Sequence, residues 1–170
     1  MKIIILVGFM LLLLGCSSKT LVNTYESLPD LSKYENQDKR GNKGEVSVSL
    51  FSLNNYTDTP RAGMRSANII EGILLTKGFK VINHFKIDAS KLTDVKNISK
   101  NDKSMYYLIG GVSEWRYKTG IDGEPAVSVQ CSMYETKTDK LVWSATGADS
   151  DWGNGSIGTT AQNLLEEMMN

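Results

Sequence analysis

Apolar residues run unbroken from Ile3 to Leu14, with one glycine among them, and then give way to a long polar stretch before any periodic pattern begins. A helix that crosses a bilayer needs about 20 predominantly apolar residues, so this shorter run matches the apolar core of a secretory signal peptide instead. Residues 17 to 44 follow neither a period of two nor one of 3.6, and they close on Asp38-Lys39-Arg40-Gly41-Asn42-Lys43-Gly44. That composition predicts a flexible tether.

Alternation begins at Glu45, where Val46, Val48 and Leu50 share one face of a strand expected to end near Leu53. Thr59 and Pro60 open a helix with Ala62, Ile69, Ile70, Ile73 and Leu74 at helical spacing, and Gly78 after Lys77 stops it. Phe79 to Ile82 reads as a short strand, and Ser90 to Ile98, in a lysine-rich connection, as a helix. Met105 to Lys118, Ala126 to Glu135 and Leu141 to Thr146 are three strands joined by turns at Gly120 to Gly123 and Thr136 to Lys140. A last helix covers Thr159 to Met169, with Ala161, Leu164, Leu165 and Met168 on one face. Strands joined by short turns must be antiparallel, whereas the first two, separated by a helix, can pair in parallel. The order predicts an α/β fold over residues 45–170. This is a two-layer domain with a mixed β-sheet, an antiparallel three-strand C-terminal meander and helices packed on one face.

The beginning of the chain turns this soluble domain into an anchored one. Lys2 supplies a positive n-region, and Leu13-Leu14-Gly15-Cys16 closes the apolar core with a small residue before a cysteine, as a lipoprotein signal does. Residues 1–15 are then the signal peptide, Cys16 the lipidated first residue of the mature protein, and 16–44 its lipidated N-terminus and tether. Palmitate-like chains on the thiol and amine of Cys16, at about 0.8 kcal/mol per buried methylene, hold a protein on a membrane it does not cross. Ser17 is not the aspartate that retains lipoproteins on the inner membrane, which predicts the periplasmic leaflet of the outer membrane. The one other cysteine, Cys131, lies in the alternating run Val127, Val129, Cys131, Met133. With its sole possible partner acylated, it forms no intrachain disulfide and is read as a small buried apolar side chain.

Nineteen basic and nineteen acidic residues balance, and loss of Lys2 with the signal peptide puts the acids one ahead. No basic excess is left to bind nucleic acid. His84 is the only histidine, with no nucleophile-elbow motif to accompany it, so a hydrolytic triad is not expected. One histidine and one unmodified cysteine cannot build a transition-metal site of the usual kind, and Asp149 with Asp151 lack the further oxygens of a calcium loop. Gly110-Gly111 and Gly153-Asn154-Gly155 lack the lysine of a phosphate loop. Asp122 with Glu124, or Asp149 with Asp151, have the right residue types for glycosidase work, but closeness along a loop does not make two carboxylates face a cleft. The chain is read as a non-enzyme without cofactor or metal.

The loops around the meander carry an unusual chemistry. Trp115 and Tyr117 alternate outward on one strand, Gly120-Ile121-Asp122-Gly123-Glu124-Pro125 follows, and Trp152 stands in Ser150-Asp151-Trp152-Gly153-Asn154-Gly155. A tryptophan between glycines either folds back on the core or inserts into a membrane or partner, because indole favours surroundings half apolar and half wet.

The run Gly111-Val112-Ser113-Glu114-Trp115-Arg116-Tyr117-Lys118-Thr119-Gly120-Ile121-Asp122-Gly123-Glu124-Pro125-Ala126-Val127 resembles the PelC family, outer-membrane lipoproteins of Pel exopolysaccharide export. Leu141-Val142-Trp143-Ser144-Ala145-Thr146-Gly147-Ala148, Trp152 and Ala161-Gln162 are similar to the family's C-terminal half, and Asn55 to Gly63 more loosely so. The resemblance implies a non-enzymatic subunit of a twelve-membered ring under the outer membrane, beside the β-barrel and the periplasmic repeat protein through which Pel leaves. It also implies an acidic, membrane-distal funnel that draws in the cationic polymer. Asp122, then Glu124, become the candidate pore or funnel carboxylates, and Trp152 the membrane-facing aromatic. With acids and bases nearly equal, such a funnel requires the charges to be segregated by face.

Two other readings compete. A lipoprotein regulator that activates a periplasmic cell-wall synthase would share the lipid, the tether and the small α/β domain, but would act as a monomer on a protein partner. A carbohydrate-active enzyme would cleave or deacetylate the polymer, and that activity would be lost in Asp122→Asn.

Overall fold

The computed structural model describes residues 20–34, 46–87, 89–119, 123–151 and 155–170. The expected signal peptide (1–15), Cys16, Asp122 and Trp152 lie outside the described residues. The strands are β1 (Leu21–Tyr25), β2 (Ser47–Phe51), β3 (Asn54–Asn55), β4 (Lys80–His84), β5 (Tyr106–Tyr117), β6 (Pro125–Glu135) and β7 (Leu141–Ser150). The helices are α1 (Ala62–Thr76), α2 (Leu92–Asn101) and α3 (Ile157–Met168), with a 3-10 turn at Leu31–Tyr34.

One sheet joins the strands in the order β1-β7-β6-β5-β2-β4, and β3 pairs with β5 beyond the end of β2. The β5-β6-β7 meander is antiparallel, while β2 pairs in parallel with both β4 and β5. The mixed sheet and the meander are as the pattern predicts. β2 is buried on both faces, as suits a parallel strand between two neighbours: Val48 and Leu50 join the main core, Phe51 a smaller cluster on the reverse side.

The main core lies between the sheet and the pair α1 and α3. Along α1 the buried positions Ala62, Ser66, Ala67, Ile70, Ile73 and Leu74 form one stripe at helical spacing. Its end is a Schellman turn: Phe79 N–H donates to the Leu74 carbonyl and Gly78 N–H to that of Leu75, each at 3.0 Å. Gly78 sits at φ 90°, a conformation open to glycine at little cost. α3 begins where the Ser156 hydroxyl accepts the Thr159 N–H at 3.1 Å, a side-chain cap. Its Leu164, Leu165 and Met168 are fully buried, at roughly 1.5–3 kcal/mol each.

Two sequence expectations change here. Helices α1 and α3 share one face, but α2 packs on the other, where Val95 meets Phe51, Ala89 and Tyr107. The side-chain alternation of β2 and β5 puts Phe51 and Tyr107 opposite Leu50 and Leu108, so a second apolar patch needed a cover. The stretch read as a tether contains β1, which pairs antiparallel with β7 from Leu21↔Ala148 to Tyr25↔Ser144. Only Val22 of this edge strand packs against the core, so no alternation marks it in the sequence.

Candidate functional site

Beside α2, no helix among the described residues covers the reverse face of the meander. Ser128, Gln130 and Ser132 of β6 alternate there with the buried Val127, Val129, Cys131 and Met133. Ser144 and Thr146 of β7 and Asn23 of β1 continue the same polar surface, as their pairing with Ser132, Gln130 and Thr146 requires. On β5 the register slips at Ser113, because Val112 opposes Val129 and Glu114 opposes Ser128. The extra residue reverses the facing of everything after it. Trp115 therefore joins Val112 in the core at 2% exposure instead of pointing outward, and its indole N–H has no partner among the described residues. Tyr117 remains exposed, and its hydroxyl accepts the Ile157 N–H at 3.2 Å, satisfying one free donor at the start of α3.

The loop after β3 builds a wall on this face. Asn55 Oδ1 accepts both the N–H and the hydroxyl of Thr57, at 3.0 and 2.8 Å, and Asn55 Nδ2 donates to the Thr59 carbonyl at 2.8 Å. The Thr59 hydroxyl donates to the Trp115 carbonyl, and Tyr56 N–H to that of Val112 at 2.9 Å, which fixes the loop to β5. The Tyr56 ring then lies over Gly111, where a β-carbon would come within 2.8 Å of it. Between this wall and β5 is a depression of about 450 Å³ bordered by Asp58, Ser113, Glu114, Arg116 and Ser128. Ser113 and Ser128 bond each other at 3.0 Å, and Arg116 Nε meets Glu114 Oε1 at 2.9 Å. The polar atoms can hold hydroxyl or amine groups, but no base faces a nucleophile.

Of the two candidate funnel carboxylates, Glu124 is described. Its Oε2 lies 3.5 Å from Lys118 Nζ, and its carbonyl accepts the Lys118 N–H at 2.6 Å, so its charge is shared across the neck of the β5–β6 turn. The strands that flank Asp122 and Trp152 meet at one end of the sheet. Tyr117 opposes Pro125, Ala126 opposes Ser150, and Leu21 opposes Ala148. The chain therefore leaves β5 and β7, and enters β6 and β1, at one end of the sheet.

Two polar clusters escape sequence reasoning. His84, the only histidine, places Nε2 2.6 Å from Asp102 Oδ2 and stacks on Phe51 with ring centroids 5.0 Å apart. The same Asp102 oxygen accepts the Ser49 hydroxyl at 2.7 Å, and Ser49 also reaches Ser104 at 2.8 Å. Ser49, between Val48 and Leu50 in a buried strand, was the legible hint. In the second cluster Asp139 accepts from Lys96 at 3.0 Å and from the Tyr107 hydroxyl at 3.2 Å. The Lys96 ammonium holds the Asp139 carboxyl below its usual range, and burial first, Asp139 second, pushes the Tyr107 phenol upward. Burial alone pushes the Cys131 thiol up to about 12, in keeping with the small apolar role expected of it. Among the described residues no group of three or more His, Cys, Asp or Glu side chains could hold a metal ion.

No family model matches the sequence, and no curated protein matches it either. Solved structures do. A PelC dodecamer from Paraburkholderia phytofirmans matches at a TM-score of 0.72 and 26% identity, over 88% of this chain and 94% of that one. The fold is PelC-like. A second PelC dodecamer from the same bacterium, in another crystal form, gives the same score and identity over 88% and 95% of the two chains. Lipoprotein GNA1162 from Neisseria meningitidis shares the PelC-like fold alone, at a TM-score of 0.56 and 13% identity over 72% and 94%. None of these names is that of an enzyme. Among the described residues no helix is long and apolar enough to cross a membrane.

Proposed function

We propose that this chain is a non-enzymatic lipoprotein of the outer membrane's periplasmic leaflet, anchored through Cys16, whose copies form a ring that guides cationic Pel exopolysaccharide to its export pore. One observation carries the reading: the likeness to PelC dodecamers extends over 88% of the chain at 26% identity. The partners are further copies in a ring of twelve, together with the outer-membrane β-barrel and the periplasmic repeat protein of the export system. A ring repeats each carboxylate around one axis, and charge summed in a passage with low-dielectric walls concentrates potential on a passing polycation. In this reading Asp122 and Glu124 face the passage and Trp152 meets the bilayer. The strands that flank them share one end of the sheet.

Sedimentation of the mature chain tests the assembly. A twelve-subunit particle is expected, and a monomer at every concentration would favour a regulator of a cell-wall synthase instead. Cys16→Ser is expected to leave a folded domain and abolish polymer export, and normal export by that variant would count against the anchor.

A further inference from the structure

Three depressions on this reverse sheet face, bare of helix among the described residues, join into one trough. The first, bounded by the Tyr56 loop, shares Tyr56, Ser113 and Ser128 with a second of about 180 Å³. The second shares Gln130 and Thr146 with a third of about 410 Å³, which ends against Tyr25 of β1. The trough crosses β5, β6, β7 and β1, and with about 4.8 Å between neighbouring strands it runs on the order of 15–20 Å. Tyr25 stands at the β1 end at 53% exposure, and Tyr56 where the first two depressions meet at 70%. No charged side chain lines the second and third depressions. Charge is confined to the β5 end, where Asp58 and Glu114 outnumber Arg116, and Arg116 is engaged by Glu114.

We propose that this trough binds a hydroxyl-rich saccharide chain laid across the strands. Tyrosine rings offer flat apolar faces to sugar rings, and Ser128, Gln130 and Thr146 supply donors and acceptors in both senses to sugar hydroxyls. Charge complementarity selects this occupant: the uncharged floor suits neutral sugar units, and the net negative β5 end admits one bearing an amine. A second copy of the chain suits it poorly, because the buried centre of a stable protein interface is mostly apolar and this floor is serine, threonine and glutamine. The Tyr56 wall is fixed before any ligand arrives, which lowers the ordering cost of binding. The identity of the saccharide as the exported polymer rests on the function proposed above. The site itself stands on the trough.

The test titrates the lipidated mature chain, in detergent, with cellotetraose, chitotetraose and its fully N-acetylated form, following heat and oligomeric state in the same samples. At least one probe is expected to bind, and Tyr25→Ala and Tyr56→Ala each to weaken it about two- to tenfold with the thermal midpoint unchanged. Absence of binding to all three probes overturns the proposal, as does binding that survives loss of both tyrosines. A Gln130→Lys variant that loses its oligomer, with no saccharide bound by the parent, identifies the face as a contact between copies and overturns it too. A ring that binds no saccharide leaves the export reading standing and removes the trough. A monomer that binds one does the reverse.

Discussion

His84 and Asp102 meet at 2.6 Å, and the carboxylate oxygen they share with Ser49 sits between histidine and serine. That order differs from a hydrolytic triad, in which the imidazole lies between carboxylate and hydroxyl. The carboxylate fastens the end of α2 to β2 and β4, so its role is structural. Asp102→Ala takes the carboxylate from His84 and one of two partners from the fully buried Ser49 hydroxyl, which keeps Ser104, and is expected to cost about 1–3 kcal/mol. Urea unfolding measures it, and a change below about 0.5 kcal/mol, the range of ordinary surface substitutions, would speak against the cluster.

Cys131 reacts as a thiolate or not at all. With its thiol pushed up to about 12 by burial, the native chain is expected to resist iodoacetamide at mildly alkaline pH and to label fully once unfolded in urea. Rapid labelling of the folded protein would contradict its place in the core.

Asp139 links stability to acid. Its folded carboxyl titrates below the unfolded value, chiefly because Lys96 donates to it. The stabilisation is therefore complete above the unfolded carboxylate range, near pH 4, and is lost as pH falls through the lowered folded value. Asp139 has φ 58°, which asparagine tolerates, so Asp139→Asn removes the charge and keeps the turn. Thermal midpoints across the acid range are expected to fall less steeply in this variant, and an unchanged slope would dismiss the link.

Two glycines of α1 predict opposite outcomes. A β-carbon on Gly63 would lie 1.8 Å from the Leu53 carbonyl oxygen, whereas one on Gly72 meets nothing within 4 Å. Gly63→Ala is expected to cost about 1–3 kcal/mol or more through overpacking against backbone. Gly72→Ala should add roughly 0.5–1 kcal/mol of helix stability. Equal effects in denaturant titrations would refute the contact at Leu53.

Much of the fold was legible because α1, α3 and the meander carry long apolar periods that only one element type satisfies. β1 was hidden because an edge strand needs just one inward residue, Val22, and presents the rest to solvent. The facing of Trp115 was misread because strict alternation counts one residue per step and Ser113 adds another. The α2 segment was legible as a helix in a lysine-rich connection, but which sheet face it meets depends on β2 lying between β4 and β5. The trough was invisible for a similar reason: Asn23, Thr146, Gln130 and Ser128 are far apart in sequence, and strand order alone makes them neighbours. The lysine partner of Glu124 emerged only from the geometry of its turn.

β1 is stitched to β7 from Leu21 onward, and Leu21 lies five residues after Cys16 in the sequence. At no more than 3.6 Å per residue those five steps extend about 18 Å. An acylated Cys16 would thus moor the domain on a short line, with the start of β1 drawn down toward the lipid headgroups. Subunits so moored would meet by drifting sideways in the leaflet, already turned the same way up.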